Sequence, residues 1–469
     1  MRLNKNALSL ALSLFVLTGC SALVRSDFEQ PQIQVPAQWQ EVSLNQNVRL
    51  DPWWQRFNDP MLNQLVDQVL QTNNDLALAT LTLKRAQLQT GLARDDWYPQ
   101  VSAGTSGSVS QVLEQGDSEN TFSANASVSY EVDLWGRIGA EVDAAKWSAM
   151  ATLEDRESTA QSLVATTATL YWQILYLNES LGLAKQDVMD AQQTLKLTQS
   201  RYDAGAVSRL DLVEARRDLA SQESQVSDIE NQLKQANNAL AILFDKPPQQ
   251  FDLANQVKEK SLTQIPLPQV RAGVPSDVLI RRPDVKASLY TLKSALASKD
   301  ATFAAYLPSL TLTGSIGDSS DDLKDLLSDP IGTLGAQMVL PFLQWNQMQI
   351  NNDIADVDYQ SAVISYRQVL YQAFQDVDNA LADRQNYFYQ AQKLQQQYTN
   401  AVEAQNIYQS RYQNGAIDLQ DLIDAQEVRR NARDAFLANK FNQLSNQAVL
   451  YQALGGDDIA PKLADNNAG

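Results

Sequence analysis

The residues best placed for chemistry are two carboxylates that follow a glycine turn near the end of the chain. Asp421 and Asp424 stand three residues apart, shortly after Gly415. This spacing puts both side chains on one face of an α-helix, where neighbouring carboxylates attract cations. Charged helix faces are also common without any function. The spacing alone therefore leaves two interpretations open, a cation-attracting site and a pair of solvated carboxylates.

Composition narrows the possible functions. The 469 residues include 37 Lys and Arg, 55 Asp and Glu and no His, which gives a net charge of −18. Such a chain repels phosphate, so we expect no nucleic-acid partner. Without His there is no Ser-His or Cys-His nucleophile and no imidazole metal ligand. We expect no catalytic residues, no metal site and no enzyme activity; the alternative, a carboxylate-pair glycosidase, gains no weight from composition.

The only cysteine has a chemistry of its own. Arg2 and Lys5 precede a short apolar segment, residues 7–17, and a Leu-Thr-Gly-Cys string then ends at Cys20. This pattern predicts a signal peptide over residues 1–19 and a covalent lipid on Cys20, with no other cofactor. Ser21, where Asp would favour the inner membrane, favours the outer membrane. An ordinary signal beside an unmodified cysteine is the alternative.

Long helices must position these residues. Proline is absent between Pro99 and Pro247 and between Pro341 and Pro461, so nothing in either interval breaks a helix. Apolar residues recur there at alternating spacings of three and four, the pattern of a coiled coil. The longest predicted helices, 137–204 and 346–414, would each measure on the order of 100 Å at about 1.5 Å per residue.

The sequence contains an internal duplication. Arg201–Val207 reads RYDAGAV and Arg411–Ile417 reads RYQNGAI, an offset of 210 residues, and the same offset pairs Trp135 with Trp345. We expect a first repeat over 60–245 and a second over 275–454. The remaining predicted parts are a lipid-anchored segment over 20–59, an equatorial connector over 246–274 and a tail over 455–469.

Each repeat also contains two predicted strands. Apolar and polar residues alternate at 101–112 and 122–133 in the first repeat, and at 310–317 and 333–340 in the second. A soluble sandwich gives a similar pattern, but the lipid signal favours membrane-spanning strands. Four strands cannot close a barrel, and open edges in lipid leave backbone groups unsatisfied. Copies must therefore pool their strands, and three copies would supply twelve.

Several strings identify a family when they are taken together with the lipid signal and the duplication. They are Trp53–Pro60, Arg281–Val285, Tyr306–Leu310, Asp424–Gln426 and Leu450–Gly456. With them the chain resembles the TolC-like outer-membrane factors, in particular the lipoproteins of RND-type tripartite efflux systems. The resemblance implies a mixed α and transmembrane β fold: a duplicated unit whose four strands per chain form a 12-stranded trimeric β-barrel, continuous with a 12-helix coiled-coil periplasmic α-barrel.

The same resemblance implies a function and a location. The protein would be a passive exit duct, lipid-anchored in the outer membrane and gated at its periplasmic end. Its partners would be two further copies in a homotrimer, a periplasmic adaptor, an inner-membrane RND-type pump and outer-membrane lipid. The alternative is a periplasmic coiled-coil scaffold or adaptor lipoprotein without a pore, which has no need of four alternating strands.

Site residues follow from the resemblance residue by residue. Asp421 and Asp424 would form the gate or selectivity ring, and Tyr412 with Asp211 would supply hydrogen bonds between neighbouring coiled coils. The basic residue that some members carry two positions after the glycine falls on Ile417 here, so part of that lock is absent or replaced. The replacement could be Arg209 or Arg411. Tyr412 could instead be an ordinary coiled-coil seam residue.

The two glycine turns would form the helical tips that touch the adaptor. Small residues at these turns permit close approach of another helical tip. The predicted adaptor-contact residues are Gly205, Ala206, Gly415 and Ala416.

Overall fold

The computed structural model describes residues 24–31, 52–111, 118–269 and 281–456. Eight α-helices and four β-strands lie in these ranges. Cys20, the predicted signal peptide and most of the predicted tail lie outside the described residues. None of the described helices is long and apolar enough to cross a membrane.

The helices repeat in length as the duplication predicts. The bounds are α1 Pro60–Thr72, α2 Asn74–Asp95, α3 Arg137–Asp203, α4 Arg209–Leu243, α5 Leu253–Gln256, α6 Pro283–Ala304, α7 Trp345–Gln413 and α8 Leu419–Ala453. Helices α2 and α6 have 22 residues each, α3 and α7 have 67 and 69, and α4 and α8 have 35 each. These three pairs of helices, similar in length and identical in order, follow the duplication, whereas α1 has no counterpart among the described residues of the second repeat.

The chain divides into two compact units, and each long helix contributes to both. Of the described residues, the first unit comprises 24–31, 81–111, 118–154 and 286–369, and the second comprises 52–80, 155–269, 281–285 and 370–456. The first unit contains the four strands, and the second contains the glycine turns.

The first unit holds one antiparallel sheet in the order β1-β2-β3-β4. Its strands are β1 Gln100–Gln111, β2 Ser118–Val132, β3 Ser309–Ser320 and β4 Ile331–Val339. Side chains directly opposite each other in such a sheet lie on the same face.

The register of the sheet separates apolar from polar residues across all four strands. Val101 pairs with Val128, Val128 with Gly314, and Gly314 with Leu334, so this row is apolar. The next row belongs to the other face, where the hydroxyls of Ser102 and Ser127 lie 2.8 Å apart. The alternation that the sequence predicted therefore produces one apolar and one polar face.

The second unit has an aromatic core formed by residues from motifs that are far apart in the sequence. The Trp53 and Tyr451 rings stack with centroids 5.2 Å apart, and Phe57 lies 4.9 Å from the ring of Trp172. All four side chains are buried. The segment before α1 is thus held against the middle of α3 and the end of α8.

A buried carboxylate begins α1 in the same unit. Asp59 accepts hydrogen bonds from the Met61 and Leu62 amides, which caps the helix. Its carboxylate also accepts a bond of 2.7 Å from the Tyr171 hydroxyl and pairs with the Lys260 ammonium at 2.6 Å. Burial raises the pKa of Tyr171 well above its ordinary value, and the neighbouring Asp59 charge raises it further.

Candidate functional site at the helical tips

Both glycine turns have the same backbone geometry. Gly205 has φ +73° and Gly415 has φ +72°, in the left-handed region that disfavours other residues. The Gly205 amide bonds the Tyr202 carbonyl, and the Ala206 amide bonds the Arg201 carbonyl. The equivalent bonds recur 210 residues later, so each long helix ends in a Schellman motif. The two tips are therefore alike in backbone geometry.

The starts of the following helices differ between the two repeats. Before α4, the Ser208 side chain accepts a bond from the Asp211 amide, and Asp211 accepts one from the Ser208 amide. This reciprocal pair is a capping box. Before α8 the corresponding residues are Asp418 and Asp421, and Asp418 makes no side-chain cap bond. The second tip thus carries two like charges where the first carries a hydrogen-bonded pair.

Tyr412 lies between the two coiled coils of the chain. Its hydroxyl is 3.0 Å from the hydroxyl of Thr198, and its side chain belongs to a buried cluster with Ala215, Leu419 and Leu422. Asp211 is occupied in the capping box, and no hydrogen bond joins it to Tyr412 in the described chain. The pair of Tyr412 with Asp211 between neighbouring coiled coils therefore stays a prediction, and the burial of Tyr412 fits the alternative of a seam residue.

Arg201 is a tip residue that sequence reasoning did not single out. Its guanidinium donates to the carbonyl of Tyr412 at 3.0 Å and to that of Gln413 at 2.8 Å. It also lies 4.7 Å from the centroid of the Tyr412 ring. The last carbonyls of a helix have no partner within the helix and attract cations, so Arg201 caps α7 from the first repeat. The signal was present in the repeated RY pair, which contains Arg201 and Arg411.

The two candidate gate carboxylates lie on the exposed side of the second tip. Asp421 and Asp424 are exposed, while Leu422 and Ile423 between them are buried. Asp424 accepts a hydrogen bond from the Gln420 amide group. Ile417 packs at the edge of the cluster around Tyr412. Among the described residues, no group of three or more acidic or cysteine side chains is arranged to hold a metal ion.

A buried ion cluster joins the two coiled coils farther from the tips. Asp187 on α3 pairs with Arg429 and Arg433 on α8, and Arg433 lies 2.9 Å from both Asp187 and Asp434. Burial alone lowers the pKa of Arg433, but the hydrogen bond that its guanidinium donates to Asp187 and the nearby acidic charges raise it above its ordinary value. Asp218 on α4 accepts a hydrogen bond from Arg430, and both residues line a cavity of about 660 Å³ that Asp187 and Arg433 also line. The cluster connects the repeats by charge rather than by apolar packing.

The first unit has a separate candidate surface, the apolar face of its sheet. Leu334 is 92% exposed, and Val101 and Met338 on the same face are also exposed. Exposed aromatic side chains flank the same end of the sheet, before β1 and after β4: Trp97, Tyr98, Phe342 and Trp345. Lipid-facing strands show this combination of an apolar band and an aromatic girdle. The sequence alternation predicted the band, but sequence reasoning missed the girdle.

The two repeats also correspond to the two segments found by comparison with known families. The sequence model of the family described as "Outer membrane efflux protein" matches residues 65–244 and 274–456. The chain belongs to this family. The resemblance drawn from its motifs is thereby confirmed.

Individual members of the family are similar over nearly the whole chain. The probable efflux pump outer membrane protein TtgC of Pseudomonas putida is 31% identical over 97% of this chain and 96% of its own length. The cation efflux system protein CusC of Escherichia coli O157:H7 is 32% identical over 94% of this chain and 96% of its own length. The open-state MtrE outer membrane channel of Neisseria gonorrhoeae is 29% identical, covers 93% of this chain and 99% of its own, and superposes with a TM-score of 0.79.

Membership also bears on the alternatives from the sequence. The family is one of transport proteins, and nothing among these similarities favours an enzyme or a scaffold without a pore. The described chain is mostly helical with one four-stranded sheet, which is consistent with the fold of the similar channels. The roles of the individual site residues stay predictions.

Proposed function

We propose that this protein is the exit channel of a tripartite efflux pump and passively conducts drugs or other toxic compounds to the cell exterior. The observation that carries the proposal is the sheet of the first unit, which has one continuous apolar face exposed on every strand and an aromatic girdle at one end. Burying apolar surface gains roughly 25 cal/mol per Å². A face of this kind is stable in lipid and costly in water.

Assembly follows from the edges of the sheet. Strands β1 and β4 have no neighbour on their outer sides within the described chain. Unpaired backbone groups are not tolerated at an edge that faces lipid, so β4 of one copy would pair with β1 of the next. A homotrimer would then provide a 12-stranded barrel and, from four helical columns in each copy, a 12-helix periplasmic tunnel.

The tips of the second unit would form the periplasmic gate. Asp421 and Asp424 lie on the exposed side of α8, and three copies would assemble them into rings of like charge that favour cations. Tyr412 and Asp211 would hold neighbouring coiled coils together when the gate is closed. Arg201 already holds the end of α7 against the first repeat, so it takes part of the role expected of a basic residue at position 417.

The remaining parts of the proposal concern partners. The hydrogen-bonded turns at Gly205, Ala206, Gly415 and Ala416 would contact a periplasmic adaptor, which in turn joins an inner-membrane RND-type pump. A lipid on Cys20 would anchor the chain to the outer membrane. Similar proteins are named for toxin and drug export and for cation efflux, so the cargo would be determined by the pump rather than by this chain.

Single-channel conductance of the purified mature protein in a planar bilayer tests the proposal. We expect a small cation-selective conductance that grows and loses selectivity in the Asp421→Ala, Asp424→Ala double variant. The matched control is Glu223→Ala with Asp228→Ala, which removes two exposed charges from α4. A monomer without conductance would refute the channel. A conducting trimer that responds equally to both double variants would place the constriction elsewhere.

A further inference from the structure

The contact between the two repeats at their tips is asymmetric, because each repeat contributes different residues. The first repeat contributes one side of α3, with Leu197, Thr198 and Arg201, and also Ala215 on α4. The second repeat contributes the Tyr412 ring, the end of α7 and Ile423 on α8. Duplication means that each repeat also carries a version of the surface that the other uses.

The second repeat carries the donor surface at an offset of 210 residues. Leu197, Thr198 and Arg201 correspond there to Ile407, Tyr408 and Arg411. Ile407 is 53% exposed, and Tyr408 and Arg411 are exposed as well. Arg411 makes no side-chain hydrogen bond or ion pair with any described residue. The second repeat thus exposes an arginine, an isoleucine and a tyrosine to solvent. The equivalent positions of the first repeat are packed against the second repeat.

The first repeat carries the matching receptor surface. Tyr202 corresponds to Tyr412, and Val213 corresponds to Ile423. Tyr412 is 1% exposed, whereas Tyr202 is 37% exposed and Val213 is exposed too. Within the described chain, the carbonyls at the end of α3 also lack the arginine that caps the end of α7. The tyrosine and the aliphatic residue that are buried in the internal contact therefore have exposed counterparts in the same chain.

We propose that the second tip of one copy docks on the first tip of a second copy, with Arg411 of one copy over the Tyr202 ring of the other. This inference rests on the proposed function, because it supplies the contact between copies at the tips. Arg411 donates to the carbonyls of Tyr202 and Asp203 in the second copy, as Arg201 does to those of Tyr412 and Gln413 within the chain. Ile407 and Tyr408 cover Val213.

The contact joins two different surfaces, so it is heterologous. Heterologous contacts continue from copy to copy and close into a ring when the rotation permits. Within one chain the internal contact already uses the first repeat as donor and the second as receptor, which leaves one donor and one receptor surface exposed. A second copy is the occupant that these surfaces indicate, because the internal contact joins their counterparts. Tyr408 stands where the internal contact has Thr198, and Arg209 stands where it has Leu419.

Photo-crosslinking locates the partner of Tyr408. Benzoylphenylalanine replaces Tyr408 in a mixture of unlabelled and ¹⁵N-labelled copies, and mass spectrometry identifies the peptide that is captured. We expect crosslinks between differently labelled copies to the peptide around Tyr202 and Val213. Benzoylphenylalanine at Thr198 is the positive control and should crosslink within one copy. The same probe at Tyr389, an exposed position on the same helix, is the negative control.

A charge variant tests the arginine. Arg411→Ala should speed the exchange of subunits between trimers about tenfold, because a charged hydrogen-bond donor is lost. Lys393→Ala, which removes an exposed charge from the same helix, should leave exchange unchanged. A trimer whose Tyr408 probe captures another surface, or none while the Thr198 probe works, overturns this inference and leaves the channel standing. A protein that is monomeric overturns both.

Discussion

Removal of the Asp187 carboxylate isolates the contribution of the buried ion cluster. Asp187 is buried and pairs with Arg429 and Arg433, which is also buried. Asp187→Ala leaves both guanidinium groups without their shared partner. Truncating one member of a buried ion pair typically costs about 3–5 kcal/mol, because the remaining charge stays desolvated.

The structure places the expected cost at the lower end of that range. Arg433 keeps Asp434 at 2.9 Å, and the adjoining cavity of about 660 Å³ is lined mainly by polar side chains. We therefore expect a loss of about 3 kcal/mol. Since about 1.4 kcal/mol is a factor of ten, local opening of α8 should become on the order of a hundredfold more frequent.

Hydrogen exchange measured by mass spectrometry on peptides that cover residues 425–437 reads this opening directly. Asp228→Ala is the control, because Asp228 is exposed on α4. A triple variant, Asp187→Leu with Arg429→Met and Arg433→Met, removes all three charges and should recover most of the protection. Exchange in Asp187→Ala that is no faster than in Asp228→Ala, or a triple variant as labile as the single one, would refute this expectation.

Three further predictions concern single contacts. Tyr171→Phe removes the hydrogen bond to Asp59 and should lower the free energy of unfolding by about 1.5–3 kcal/mol. The pKa of Tyr171 is raised in the folded state, so the wild type loses stability as pH rises above 10.0. This loss should be smaller in the variant when unfolding is followed by circular dichroism at each pH. Gly415→Ala should lower the free energy of unfolding by about 1–2 kcal/mol, because residue 415 has a positive φ. Gly182→Ala should raise it by about 0.5–1 kcal/mol, because Gly182 lies within a helix with open space around it. Equal effects of the two variants in thermal unfolding would contradict this. Arg201→Ala should raise hydrogen exchange at the end of α7 about tenfold, and unchanged exchange there would show that its two carbonyl bonds do not hold that helix end.

The elements that depend on local sequence could be predicted, and the structure bears them out. Glycine turns, long helices without proline and alternating strands each depend on residues close together in the sequence. The paired helix lengths and the four strands could therefore be predicted from the sequence. Gly205 and Gly415 illustrate this, because a left-handed residue after an apolar repeat marks a helix end.

Partners far apart in the chain could not be predicted in the same way. The contacts of Tyr412 within the chain are an example, because its hydroxyl meets Thr198 and its ring meets Arg201. Its predicted bond to Asp211 between neighbouring coiled coils stays a prediction. Which of many polar residues faces Tyr412 depends on the rotation of two long helices about their axes, and the apolar periodicity fixes that rotation only coarsely. The same reason hid the pairing of Asp187 with Arg433.

The ion cluster also breaks the symmetry between the two halves of the chain. At the offset of 210 residues, Asp187 corresponds to the neutral Gln397, and Arg433 corresponds to the acidic Glu223, so these two positions cannot form the same ion pair. A ring of alternating repeats would therefore contain two kinds of junction. The junction between the two repeats of one chain has this buried pair, and the junction between neighbouring chains lacks it. When such a ring widens, each chain should move as one body and the displacement should concentrate between chains. Spin-label distances that lengthen equally across both kinds of junction would exclude this division.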